Sequence, residues 1–524
     1  MKELITNKYL LAIIFGAFAS LSFAPFHFFI AAVISVSVLY VLLEDEHSAK
    51  DIFFIGFWYG FGYFLSGVYW IAISLLVDAS KFAWLIPFAL TLIPAVLALY
   101  IAFFALTYKS LVKRFALDQE YQRIILFAVL WMIFEILRAN LFTGFPWNLM
   151  GYIWMFDVSL AQSAKIFGIY GLSFFAILTC LFPTLFFDAH GRKHFAEISI
   201  LDWVFAVILI IAFSANVFLG RDYLNKTVID EYKSTKIRLV QGNIAQEMKW
   251  GEDQKYKNLM KHVELTNSKP LDDISAVIWS ETAVPYAVEN SSKLLLRLNQ
   301  ATPPKGVLIT GGIRIKGNPE AMQVWNSVFT IGDGIIQDKY DKHHLVPFGE
   351  YVPLQKYIPI ISKITDGSIG FSKGTGPKTL SAGDNFLFSP LICYEVLFSD
   401  KTINKKLRPD LLVNVTNDAW FGESTGPYQH LDMARMRSIE YGIPMARVAN
   451  TGVTAYIDPM GRIVKQIKLN QEGIFDVFLL KKLDPTMYEI YRYNVLAILI
   501  AIILLFLVLG SFVKSGKDES KEAP

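Results

Sequence analysis

The sequence predicts two parts: a multi-pass α-helical membrane domain of about eight helices, and an extracytoplasmic α/β domain set between the seventh and the eighth. Three observations lead there. Apolar runs of bilayer-spanning length recur through residues 1–220 and once more near the end, and the long segment between them has a different periodicity. Lys and Arg are also spread unevenly over the short connections. Composition agrees, with 54% hydrophobic and 18% charged residues and a mean hydropathy of +0.40; soluble domains carry roughly 25% charged residues.

A helix needs about 20 apolar residues to cross a bilayer. Seven runs meet or approach that length: Tyr9 to Ala24, Phe28 to Leu43, Ile52 to Leu76, Phe82 to Thr107, Ile124 to Leu141, Gly168 to Phe187 and Trp203 to Leu219. An eighth, Val495 to Val513, precedes a polar tail, Ser515 to Pro524, that has nothing to bury. Lys2 and Lys8 ahead of the first run, with the small-x-small triplet Ala17, Phe18, Ala19, imitate a secretory leader. Apolar character resumes directly after Pro25, so the run reads as a retained first helix followed by a tight turn.

Positive connections tend to remain in the cytoplasm. Lys109, Lys113, Arg114 and Arg123 mark the fourth connection and Arg192 and Lys193 the sixth, whereas the fifth, Phe142 to Asp157, has neither Lys nor Arg. With the even connections inside, the membrane domain of residues 1–220 delivers residues 221–493 to the outer face. The helix at 494–513 then returns the tail 514–524, with Lys514, Lys517 and Lys521, to the cytoplasm. A net charge of +3 without a dense basic stripe argues against nucleic-acid binding. Cys180, in an apolar run, and Cys393, in the polar segment, are not expected to meet, so no disulfide is predicted.

Residues 221–493 alternate strands with helices. The β-branched runs Lys236 to Val240, Ala276 to Trp279, Gly306 to Thr310, Leu387 to Ile392 and Leu411 to Val415 argue for an α/β layered domain. Glu281, Lys342 and Cys393 each close or follow an apolar strand, where side chains project from a rigid sheet into a site. Singly, each has a bland explanation: a buried small hydrophobe for the cysteine, solvated loop charges for the others. Together they contain the parts of thiol-based acyl transfer. A thiol with a pKa near roughly 8.5 needs a carboxylate to take its proton, which suits Glu281. An ammonium beside both stabilises the thiolate and then the carbonyl oxyanion, which suits Lys342.

These strand-ending motifs, Ala276-Val-Ile-Trp-Ser-Glu-Thr, Lys339-Tyr-Asp-Lys-His-His and Ser389-Pro-Leu-Ile-Cys-Tyr-Glu, resemble the nitrilase, or carbon-nitrogen hydrolase, superfamily over Lys236 to Phe478. That resemblance implies a four-layer αββα sandwich; Ser280 departs from it, where the superfamily often has proline. Read with the membrane half, including Trp131, Glu135, Arg138, Gly144-Phe-Pro-Trp and Lys342-His-His-Leu-Val-Pro-Phe-Gly-Glu-Tyr-Val-Pro, the chain looks like the apolipoprotein N-acyltransferase family over nearly its whole length. The resemblance implies Glu281 as base, Lys342 as oxyanion stabiliser and Cys393 as nucleophile, with Glu350, Tyr394 and Glu395 supporting the pocket and Trp250 handling substrate. It implies a phospholipid donor such as phosphatidylethanolamine, a diacylglyceryl-cysteine apolipoprotein acceptor, and a bacterial inner-membrane enzyme whose catalytic domain faces the periplasm. The residues leave open a membrane-tethered amidase that releases the acyl group to water, since both chemistries share the triad. No soluble cofactor is implied, because the donor ester stores the energy for transfer.

Other features point less far. Glu135 and Arg138 stand at i and i+3, the spacing of a structural ion pair on one helix face, with a direct role in substrate passage as the alternative. His343, His344 and His430 lack metal-ligand spacing, so no metal site is predicted. The glycine-rich stretch Ile369 to Pro377 lacks a phosphate-loop ending and reads as a mobile surface loop. Tyr357 to Ile361 and Trp420-Phe421 are candidate lipid-touching loops, with ordinary core as the equal alternative.

Overall fold

A computed structural model describes residues 7–188, 191–192, 198–249, 251–318, 321–352 and 370–505. Trp250, Lys193, Tyr357 to Ile361, Ile369 and the tail lie outside the described residues. The chain divides into two compact units: Met1–Tyr69 with Pro87–Lys226 and Met487–Pro524, and Trp70–Ile86 with Thr227–Thr486.

Among the described residues, five helices are long and apolar enough to cross a membrane, Ala49–Leu76, Ala79–Arg114, Glu120–Thr143, Ala164–Leu185 and Ile200–Lys226. Three shorter apolar helices are Lys8–Ser22, Phe29–Glu44 and Asn494–Leu505. The longer regular helices of the first unit include α1 (Lys8–Ala19), α2 (Phe29–Glu44), α3 (Ala49–Val68), α4 (Ile86–Arg114), α5 (Glu120–Asn140), α6 (Ala164–Leu181) and α7 (Ile200–Lys226). Small residues let α1 and α3 pack closely, since a Cβ at Gly62 would stand 2.1 Å from the Ile13 carbonyl oxygen.

Charged side chains gather where these helices begin and end. Lys8, opening α1, pairs with Glu46 and with Asp51 at the start of α3. Glu44, closing α2, meets Arg123 of α5 at 2.8 Å and Lys109 of α4 at 3.4 Å. Asp202 of α7 accepts from the Tyr121 backbone N–H of α5 at 2.9 Å. The starts of α5 and α7 therefore share one end of the unit, and α7 runs away from it.

Past the exposed residues Leu141 to Thr143, the irregular backbone after α5 is largely buried in this apolar unit, so its polar groups need partners. Glu135 and Arg138 supply them: Glu135 Oε1 accepts from Met150 N at 2.8 Å, and Arg138 Nη1 donates to the carbonyls of Phe145 and Trp147 at 2.6 and 2.7 Å. The face predicted by their spacing is thus committed to the loop that follows.

The second unit carries two sheets. The first has the order β13-β1-β2-β4-β5-β6, with β3 beside β4. Its strands are β1 (Glu231–Gln241), β2 (Ala276–Ile278), β3 (Val284–Ala287), β4 (Val307–Lys316), β5 (Gln323–Gly332), β6 (Ile335–Asp341) and β13 (Gly473–Leu480). The second sheet runs β12-β11-β10-β9-β8-β7, from β7 (Leu380–Ser381), β8 (Leu387–Ile392), β9 (Leu411–Thr416), β10 (Met445–Ala449), β11 (Thr454–Ile457) and β12 (Ile463–Ile467). All five predicted strands are present, and β1, β2 and β4, like β8, β9 and β10, are parallel neighbours.

Parallel strands are apolar on both faces because both are covered. One face of each sheet builds a shared core containing Ile237, Ile278, Phe388 and Val413. The other face of the first sheet packs Val277 and Leu308 against Leu259 and Val263 of α8 (Glu252–Asn267) and Leu294 and Leu298 of α9 (Ser292–Leu298). The buried helix α10 (Gly426–Tyr441) packs on the second sheet at β10. This is the αββα sandwich expected. Trp70 belongs to the same unit and packs edge-on against Phe421, ring centroids 4.5 Å apart, and Phe421 is half-buried.

Candidate active site

Glu281 lies just past β2, Lys342 directly after β6 and Cys393 directly after β8. All three strands end on the same side of the sandwich core, and the structure brings the three predicted side chains together with Glu350. Lys342 Nζ stands 2.9 Å from Glu350 Oε1 and 3.7 Å from Glu281 Oε1. Asn326, inside β5, bridges the two carboxylates through one Nδ2, at 2.7 Å from Glu281 Oε1 and 3.1 Å from Glu350 Oε1. Glu350 Oε2 accepts from Val346 N at 2.9 Å.

Glu281 and Lys342 are buried and Cys393 is half-buried, and this burial shifts their proton affinities. Burial raises the Glu281 carboxyl above the usual range, and the Glu350 charge adds to it while Lys342 and Lys249 oppose. Burial works against the Lys342 ammonium, but the Glu350 and Glu281 carboxylates outweigh it and keep the amine charged well above its ordinary range. Burial pushes the Cys393 thiol up to about 12, helped by the Glu281 charge and countered by Lys342 and a hydrogen bond with Thr416. The resting site is therefore a protonated thiol beside a carboxylate of raised basicity and a fixed cation.

Cys393 has φ +50°, a left-handed conformation rare for a side-chain-bearing residue, which turns it out from the strand end. Glu395 holds that turn: its Oε2 accepts from Ile392 N at 2.8 Å. Its Oε1 accepts from His343 N at 2.8 Å, His344 N at 3.1 Å and Tyr340 Oη at 2.8 Å, tying the cysteine turn to the lysine loop. Burial opposes charge on Glu395, yet bonding to His343 wins and holds its carboxyl below the usual range. The Tyr394 ring lies 5.8 Å from His344 and 5.3 Å from Phe398.

The described part of the glycine-rich stretch is not a free loop. Phe371 N donates to Glu350 O at 2.8 Å and Gly374 N to Lys342 O at 2.8 Å, strapping the site from outside. Glycine is required at 374, since a Cβ there would lie 2.0 Å from the Asp341 carbonyl oxygen.

Four features escaped the sequence reading: Asn326, Lys249, Thr416, and the set of Asp418, His430 and Arg447 behind the cysteine. His430 Nδ1 lies 2.9 Å from Asp418 Oδ1 and its Nε2 3.3 Å from the Cys393 carbonyl oxygen; Arg447 Nη2 also binds Asp418. Arg447 interrupts an otherwise apolar strand and Asn326 is a buried amide inside β5, a signal that polar residues at core positions have assigned partners.

Comparison with known proteins agrees with this geometry. Residues 15–182 match the family described as apolipoprotein N-acyltransferase N-terminal domain, and residues 236–488 match carbon-nitrogen hydrolase. An apolipoprotein N-acyltransferase of Rickettsia bellii is 38% identical, covering 95% of this chain and 96% of its own. Those of Brucella melitensis, at 36% over 91% of both chains, and Rhodopseudomonas palustris, at 35% over 96% and 95%, are similar. The chain belongs to the apolipoprotein N-acyltransferase family. As an apolipoprotein N-acyltransferase it is an N-acyl-transferring enzyme, a membrane protein with a nitrilase-like domain, suited to lipid and lipoprotein partners.

Proposed function

We propose that the enzyme transfers an acyl chain in two steps through a thioester on Cys393. Glu281 takes the thiol proton, and the sulfur attacks the acyl carbonyl of a phospholipid such as phosphatidylethanolamine. Lys342 stabilises the oxyanion; the ester C–O bond then breaks and the lysophospholipid oxygen leaves with the proton from Glu281. The α-amine of a diacylglyceryl-cysteine apolipoprotein next attacks the thioester. The C–S bond breaks, and the amine proton passes through Glu281 back to the sulfur. Glu350 orients Lys342, while Tyr394 and Glu395 shape the cysteine turn and Trp250 handles substrate.

The observation that carries this reading is the meeting of Glu281, Lys342 and Cys393, each following a separate strand, with Glu350 from the loop after β6, in one largely buried cluster. Eight crossings with the catalytic unit on the periplasmic face complete the proposal. Its support is the positive fourth connection, together with the course of α7 away from the end where Lys109 and Arg123 both pair with Glu44.

The test is intact-protein mass spectrometry of purified enzyme with phospholipid, comparing wild type with Cys393→Ala, before and after neutral hydroxylamine. A hydroxylamine-labile acyl mass on wild type alone is expected. Its absence with several donors would sink the thioester, and free fatty acid in place of acylated peptide would make water the acceptor.

A further inference from the structure

Lys249 is a buried lysine that the two-step scheme leaves without a task. It follows the short turn Gln246–Met248 and is 4% exposed. Among the described residues its Nζ makes one hydrogen bond, at 3.0 Å to the carbonyl oxygen of Glu281. An ammonium has three donors and is costly to bury without opposing charge. The groups that face it are the Glu281 carboxylate and the Cys393 thiol, with His262 on α8; burial lowers the Lys249 amine to about 8 against the pull of Glu281 and Cys393. Burial also lowers His262 to about 4, so that imidazole adds no charge at neutral pH.

Two consequences follow from that placement. Thr282, next in the chain after Glu281, has φ +46°, so the carbonyl gripped by Lys249 belongs to a strained turn that aims the base. Glu281 and Glu350 also carry two negative charges against the single positive charge of Lys342. With Lys249 the cluster is neutral; without it the thiolate would form beside excess negative charge.

We propose that Lys249 is a positioning residue of the acyl-transfer site, clamping the Glu281 turn through its carbonyl oxygen and holding a second positive charge against the Cys393 thiolate. The assignment rests on the proton transfer from Cys393 to Glu281 proposed above.

Its test uses the full-length enzyme in detergent, with the variants Lys249→Met, Lys249→Gln and Lys249→Arg, and two readouts. One is iodoacetamide alkylation of Cys393 across pH 6 to 9.5, read on the Cys393 peptide; the other is lysophospholipid release from phosphatidylethanolamine. Met and Gln should each slow alkylation at neutral pH by about tenfold or more and lower kcat with KM within about twofold, while Arg, keeping the charge, recovers most of the alkylation rate. The glutamine variant guards against a methionine variant that fails to fold. Alkylation within about twofold of wild type in the Met and Gln variants, or an Arg variant no better than Met, would overturn the assignment. Alkylation needs no acyl donor, so failure of the thioester scheme would show as normal alkylation without lysophospholipid.

Discussion

Lys342 Nζ sits nearer to Glu350 (2.9 Å) than to Glu281 (3.7 Å), so the ammonium is anchored on one carboxylate and leaves the other less engaged, as the proposed base requires. Glu350→Gln should release Lys342 toward Glu281. The Glu281 carboxyl, raised in the wild type by burial and by the Glu350 charge, then falls. The acid limb of the kcat/KM profile should move to lower pH, and the plateau should drop by about 10²-fold because the base is weaker and the cation misplaced. An unmoved acid limb would contradict the division of labour.

Asn326 supplies one amide to two carboxylates. Asn326→Ala leaves both oxygens short of a donor, and a thermal shift in detergent should report a loss of about 1–3 kcal/mol. Asn326→Asp adds a third negative charge and should lower activity further than alanine does.

Asp418 is the shared partner of Arg447 and His430. Burial alone would raise its carboxyl, but Arg447 and then His430 hold it at about 2. Its pKa is depressed in the fold, so its contribution to stability is present above the unfolded value and is lost as pH falls toward about 2. Asp418→Asn leaves Arg447 buried without its counter-charge and should cost about 3–5 kcal/mol, seen as a lower unfolding temperature and reduced yield.

Gly374→Ala places a methyl group against the Asp341 carbonyl. The strap must shift, and with it the Lys342 carbonyl to which Gly374 N donates. Activity should fall while the helical circular-dichroism signal stays the same; full activity would show that the strap does not set the lysine.

Topology is tested in a Cys393→Ala background, which removes the native reactive thiol, by cysteines placed at exposed Lys305 and Lys113 and labelled in whole cells with a membrane-impermeant maleimide. After the outer membrane is opened, Lys305→Cys should label and Lys113→Cys should not. The reverse pattern would invert the proposed orientation.

Much of this was legible in sequence because it is local. An apolar run of about 20 residues announces a helix of spanning length wherever it ends up. The parallel strands that support Glu281 and Cys393 are short and mostly apolar because both faces are buried. The glycine-rich stretch misled for the opposite reason: Gly374 permits close approach to Asp341 and Lys342, which resembles flexibility until the neighbours are known.

The sequence by itself determined the helical and α/β parts, the strands that carry the triad, the candidate residues and the family, because hydropathy, periodicity and motif spacing are properties of contiguous residues. Only the tertiary structure decided that Lys342 is anchored on Glu350, that Asn326 bridges the carboxylates, and that Lys249 holds the base's main chain. It likewise decided that Asp418 and His430 back the cysteine. These pairings join strand ends and loops far apart in the chain, and their strength depends on burial that no single segment possesses before the two sheets close on each other.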